Sequence, residues 1–309
     1  MPQPATKPAI QGLIAPVLTP FNDDLSVAED LFIAHCQWLL TPDGGCAGLA
    51  PFGTTSEALS IGVHERKAVL EKLVAAGVEA AKLLPGVGLT NAYDTADLIR
   101  HATGLGCHGV MILPPFYFKD VSEDGLYAYF AQVLGLVDNS KTKYYLYHIP
   151  QVAGVGLPVT LVKRLAKDFP AQIIGIKDSS GDWDNTAALL DIKDFSVYPG
   201  SEMPLIEAMA KGAPGCISAT ANINGKAIAE VIALCQAGDT AGATEKHKAV
   251  QALRELFHDY APIQAQKAML ARWRGDARWG NLRPPLMAID GKKADALQAT
   301  LKNEFGVGG

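Results

Sequence analysis

Short apolar or β-branched segments recur along the chain at nearly even spacing, and this recurrence limits the fold more than any single motif. They read GLIAPVLTPF (12–21), CAGLAPFGTT (46–55), KLLPGVGLT (82–90), HGVMILPPF (108–116), KYYLYHIP (143–150), IIGIKDSS (173–180), FSVYPGSE (195–202) and GCISATAN (215–222). Most intervals between them carry the apolar period of a helix. The first helix is expected to open at Ser26, where Glu29 three residues on completes a capping-box pattern. DNTAALLDI and MPLIEAMAKG are weaker helical stretches. Strand and helix alternating in units of roughly 25 to 30 residues predict parallel strands joined by helical crossovers. A doubly wound open sheet is the competing arrangement, but eight even units favour closure into a (β/α)8 TIM barrel. After the eighth segment the strand pattern stops and the remainder is helical. The expected division is 1–225 for the barrel core and 226–309 for its last helix plus a small C-terminal helical appendage.

Composition narrows the class of partner. With 49% hydrophobic and 19% charged residues, the 309-residue chain has the make-up of a soluble globular protein with a large core. A net charge of −5 offers no basic footprint for nucleic acid or a membrane surface. No window approaches the apolar length of a membrane span, and MPQPATKPAIQG has no signal-peptide core. Five scattered cysteines, an odd number, fit reduced thiols better than a disulfide framework. A cytoplasmic location is expected. The histidines lack metal-ligand spacing, and no glycine-rich dinucleotide fingerprint follows the first strand, so neither a metal nor a cofactor is expected.

A (β/α)8 barrel presents its chemistry at the C-terminal ends of its strands. Applied to this chain, that rule gathers Gly53-Thr54-Thr55-Ser56-Glu57, Phe116-Tyr117, Tyr147-His148, Lys177-Asp178 and Gly200-Ser201-Glu202 around one mouth. Lys177 is the anomaly among them, since it follows a β-branched run that reads as buried on both faces. An ammonium there is costly unless it is paired, reaches water or gives up its proton. A lone lysine could snorkel past the strand end. Hydroxyl groups and tyrosines sharing the same rim favour the other explanation, a neutral amine that attacks a carbonyl to form a Schiff base.

At these residues the chain resembles the dihydrodipicolinate synthase and N-acetylneuraminate lyase family, the class I pyruvate-dependent aldolases. The pieces are APVLTPF, GTTSE for the family's GTTGE, YHIP for its YNVP, GIKDSSGD and CISATAN, and the likeness runs from about Gly12 to the C-terminal helices. It implies that Lys177 forms the Schiff base with pyruvate and that Tyr147 shuttles protons. Thr54 and Thr55 would bind the pyruvate carboxylate, with Ile217 lining the site through its backbone. Tyr117 would reach into a neighbouring subunit and relay protons through Thr55 to Tyr147, which makes a homo-oligomer, dimer or tetramer, the expected state. Gly200, Ser201, Glu202, His148 and Gln151 are placed by position alone around the second-substrate pocket.

Two departures from the family pattern stand out, one bearing on substrate and one on the shape of the threonine turn. Synthases of this family carry an arginine in the loop after YNVP, which holds the carboxylate of aspartate semialdehyde, and here that position is Val152. Ser56 replaces the glycine of GTTGE. The expected reaction joins pyruvate and an aldehyde into a 2-keto-4-hydroxy acid, or the reverse, on a sugar-derived chain. Dihydrodipicolinate synthase activity is the alternative, followed by a 2-keto-3-deoxy acid dehydratase working through the same imine. A non-catalytic barrel is the contrasting class, against which stands the joint presence of Lys177, Tyr147, Thr54 and Thr55.

Overall fold

The computed structural model describes residues 9–307. Its strands are β1 (Gly12–Ala15), β2 (Gly48–Leu49), β3 (Val110–Ile112), β4 (Tyr144–His148), β5 (Ile173–Asp178), β6 (Ser196–Pro199) and β7 (Gly215–Ile217). All ladders are parallel, in the orders β2-β1-β7 and β3-β4-β5-β6. The third barrel position is filled by residues 83–87, which bridge the two ladders through Leu49–Leu83 and Gly86–Met111. This segment is not a continuous strand because Pro85 has no N–H to give, although its carbonyl still accepts from Met111 at 2.9 Å. Gly86 is required there: a Cβ would stand 2.1 Å from the Phe52 carbonyl oxygen. β6 lies beside β7, which completes the ring.

Closure is visible in the core. One buried cluster contains Ile14, Ala50, Leu84, Met111, Tyr145, Tyr147, Ile174, Tyr198 and Ile217, so each of the eight segments contributes to a shared interior. A second, larger cluster fills the space between strands and surrounding helices.

The helices are α1 (Glu29–Leu39), α2 (Val63–Ala75), α3 (Ala92–Gly104), α4 (Glu123–Val137), α5 (Pro150–Ala153), α6 (Val159–Asp168), α7 (Trp183–Leu190), α8 (Leu205–Ala210), α9 (Ala221–Gln236), α10 (Thr240–His258), α11 (Pro262–Arg274) and α12 (Gly291–Phe305). Asn91, Ser122 and Asp182 cap α3, α4 and α7 with their side-chain oxygens. The start of α1 differs from the sequence expectation. Its N-cap is Ala28, while the Ser26 hydroxyl donates to Asp24 at 2.6 Å and so belongs to the preceding turn. Helices α10, α11 and α12 share their own apolar cluster around Leu253, Phe257, Met269 and Leu297. No helix among the described residues is long and apolar enough to cross a membrane.

One irregularity sets the orientation of the sixth barrel strand. Tyr144 pairs with Ile173, but Tyr145 pairs with Gly175, so β5 holds one residue more than β4 across that step. Ile173 and Ile176 pack outward against the helices, whereas Ile174 packs into the barrel. Gly175 also faces inward, because a Cβ on it would meet the Tyr145 ring at 2.6 Å. Two successive residues thus face the interior, and the alternation beyond them is reversed. Lys177 consequently enters the barrel between Tyr147 and Tyr198, its register partners on β4 and β6.

Candidate active site

Lys177 is 4% exposed and Tyr147 is 2% exposed, at the floor of a cleft of about 870 Å³ at the C-terminal mouth of the barrel. The Lys177 Nζ donates to the Tyr147 hydroxyl at 3.3 Å and stands 4.5 Å from the centre of its ring. The same hydroxyl is 3.2 Å from Thr54 Oγ1. Amine, phenol and threonine hydroxyl therefore form one chain. Thr54, not Thr55, is the threonine bonded to Tyr147, although both line the cleft.

The turn that carries the two threonines is fixed on every side. Ser56 Oγ donates to the Val17 carbonyl at 2.5 Å and accepts from the Gly53 N–H at 3.3 Å. Thr19 Oγ1 donates to the Ser56 carbonyl at 2.9 Å. The serine in place of the family glycine thus ties this turn to the chain leaving β1. Phe52 and Glu57, which flank it, have φ of 61° and 55°. Left-handed backbone at non-glycine residues costs on the order of 1–2 kcal/mol each, which buried contacts must offset.

The opposite wall comes from the turns after β5 and β6. Gly200 and Ser201 line the cleft, and Gln151 does too, its amide donating to the Ser179 carbonyl at 2.6 Å. Gly200 cannot carry a side chain, since a Cβ would lie 1.9 Å from Ser179 Oγ. Asp178 is held by Asn185 and Thr186 at 3.0 and 2.7 Å.

Three expected residues stand elsewhere, and a fourth, Ile217, turns its side chain into the barrel beside Tyr147. Glu202 is wholly buried away from the cleft, where its carboxylate accepts from the Ser218 and Thr220 hydroxyls. His148 accepts the Leu157 N–H at Nδ1, at 2.8 Å, and so organises the loop after β4. Burial pushes its imidazole below the usual histidine range, against the pull of Asp178 and Asp182. Ile217 is fully buried in the barrel interior, and Ala219 forms the nearby cleft wall. Tyr117 is 74% exposed outside the cleft, its ring edge-on to Phe118 at 5.4 Å. Val152 is also exposed and contributes nothing to the lining.

The sequence reading missed the contribution of α10. Arg254, Glu255, His258 and Asp259, the last residue lying just beyond that helix, form an outer wall of the cleft. Their only sequence signal is LRELFHD, whose charges look like any solvated helix face. Among the described residues no group of three or more His, Cys, Asp or Glu side chains is gathered to hold a metal ion.

Comparison with known proteins agrees with this architecture. Residues 9–304 match the model of the dihydrodipicolinate synthetase family. An uncharacterized DapA-like lyase of Chloroflexus aurantiacus is 34% identical over 291 residues, covering 94% of this chain and 95% of that protein. A 4-hydroxy-tetrahydrodipicolinate synthase of Thermus thermophilus is 35% identical over 281 residues, with 89% and 90% covered. Among solved structures, dihydrodipicolinate synthase from Agrobacterium tumefaciens superposes with a TM-score of 0.86 at 32% identity, covering 95% of this chain and 99% of that one. Sharing the barrel fold and sequence with such relatives over nearly its whole length, the chain belongs to the dihydrodipicolinate synthetase family of lyases.

Proposed function

We propose that the protein is a class I aldolase that interconverts pyruvate plus an aldehyde with a 2-keto-4-hydroxy acid through a Schiff base on Lys177. The observation that carries this reading is the chain Lys177 Nζ–Tyr147 Oη–Thr54 Oγ1, at 3.3 and 3.2 Å, on the floor of the cleft. The lysine amine adds to C2 of pyruvate, and loss of water gives an iminium. That cation draws electrons from the neighbouring carbon, so a proton leaves C3 and an enamine forms. C3 of the enamine then bonds to the aldehyde carbon, whose oxygen takes a proton. Water finally releases the 2-keto-4-hydroxy acid and returns the amine. Cleavage runs the same steps backwards.

Tyr147 would move those protons, a role supported by its hydrogen-bond reach to both the amine and Thr54. The threonine turn would hold the pyruvate carboxylate by hydroxyl and backbone N–H donors. Gly200 and Ser201 would frame the aldehyde. Tyr117, exposed on its own subunit, would complete the site of a neighbouring one, making the working enzyme a homodimer or a tetramer of two such pairs.

A synthase acting on aspartate semialdehyde is the second reading, favoured by the names of several relatives. Val152 is uncharged and does not reach the cleft, so such a synthase would have to hold its substrate's carboxylate from another part of the wall. Two experiments test the proposal. Borohydride in the presence of pyruvate should add one stable mass at Lys177, and Lys177→Ala should lose both adduct and turnover; label on another lysine overturns the assignment. In a panel of 2-keto acids scored for released pyruvate, turnover should exceed that of pyruvate condensation with aspartate semialdehyde, and the reverse order would promote the synthase.

A further inference from the structure

We propose that Arg254 on α10 anchors a carboxylate at the far end of the second substrate, so that the aldehyde exchanged with pyruvate is itself an acid. This inference rests on the aldolase reading and adds the substrate class to it.

Arg254 is half-buried and lines the same cleft as Lys177. Every other arginine of the chain donates a hydrogen bond to a carbonyl, carboxylate, amide or imidazole. Among the described residues, Arg254 has no such bond and no carboxylate within ion-pair distance. A guanidinium carries five N–H donors in a fixed fork, and leaving them partly desolvated and unfilled is a cost that a ligand can remove. The cleft, at about 870 Å³, far exceeds the space pyruvate occupies and is of a size that encloses a larger ligand. The cation missing from the loop after β4 is thus offered within the same cleft by a helix distant in sequence.

The surroundings choose between anions. Glu207, Glu255 and Asp259 share the wall with Arg254, and α10 ends at His258, so its dipole adds negative potential there. That field opposes a phosphate dianion. A single carboxylate suits one guanidinium, because its two oxygens match two parallel N–H groups. The neighbouring carboxylates and Ser201 are acceptors for hydroxyl groups, which fits a hydroxylated chain between the reacting carbon and the terminal acid.

The test compares cleavage of two 2-keto-3-deoxy acids of equal length, one ending in a carboxylate and the other in a hydroxymethyl group. The wild type should favour the dicarboxylic compound. Arg254→Gln should lower kcat/KM for it by roughly 10- to 100-fold, chiefly through KM, with a loss of under about threefold for the other compound. Arg254→Lys should restore part of the preference. Equal losses on both substrates, or a wild type that prefers the hydroxymethyl compound, would overturn the inference. Labelling of Lys177 by pyruvate and borohydride is the independent control: it should persist in Arg254→Gln, and its failure in the wild type would overturn the aldolase reading itself.

Discussion

The Glu57 carboxylate and the Lys267 ammonium lie 2.5 Å apart with both side chains wholly shut off from solvent. The other Glu57 oxygen accepts the Arg283 N–H at 3.2 Å, and Lys267 also sits 4.5 Å from the centre of the Phe21 ring. Burial pushes the Lys267 ammonium down to about 8, while Glu57 pulls it back up. This pair joins the end of the threonine turn to α11. Lys267→Met should cost about 3–5 kcal/mol, because it strands a buried carboxylate. Glu57→Gln combined with Lys267→Met should recover much of that loss. Denaturant titration of both variants checks this, and a double variant no more stable than the single one would deny the pairing its weight.

Tyr147→Phe should leave the fold in place, at a cost of about 1 kcal/mol for the lost hydrogen bonds. It should lower kcat by roughly 10²- to 10⁴-fold, the range expected for a missing proton donor and acceptor. Pyruvate should still label Lys177, more slowly. Steady-state turnover and timed borohydride trapping measure the two effects separately.

His35 predicts a weakness in acid. Its Nε2 is 3.0 Å from Asn222 Oδ1, and its Nδ1 accepts from Arg274 at 3.1 Å, so the ring is built to be neutral. Burial, with the Arg274 charge, pushes it from 6.5 to about 3. Between those values the unfolded chain binds more protons than the folded one, so stability falls as the pH drops from 6.5 towards 3. At pH 5 the loss from this one residue is about 2 kcal/mol. Unfolding midpoints at pH 7 and pH 5 should show it, and His35→Gln should flatten the difference.

Tyr117→Phe separates an intersubunit role from a structural one. The ring is largely exposed and stands edge-on to Phe118, so stability should change by less than about 0.5 kcal/mol. If the tyrosine serves a neighbour's site, kcat should fall about tenfold or more while KM for pyruvate holds. Sedimentation should find a dimer or tetramer. A fully active monomer would remove the role assigned to Tyr117.

The strand positions were legible because buried parallel strands are written in runs such as IIGI and YYLY, bounded by turn residues. The third position escaped the regular pattern only where Pro85 interrupts its bonding. Lys177, Tyr147, Thr54 and Thr55 were legible as strand-end residues with reactive or hydrogen-bonding groups. Glu202 and His148 misled for the same reason, since a strand-end address does not reveal which way a side chain turns. Ser218 and Thr220 claim Glu202 from the turn that follows the next strand, and Leu157 claims His148 from the following loop. Arg254 was hidden differently: only the packing of the C-terminal helices returns it to the mouth of the barrel.

The doubled inward step at Ile174 and Gly175 makes the address of the reactive amine a matter of counting. A homologue could keep every signature residue, lose one residue from this strand and carry its lysine on the helix-facing side, chemically intact and out of reach. Conversely, lysine and tyrosine meet here because one ladder has an odd residue that its neighbour lacks. Motif searches score letters and tolerate gaps. For this site a gap of one in the sixth barrel strand is equivalent to losing the lysine.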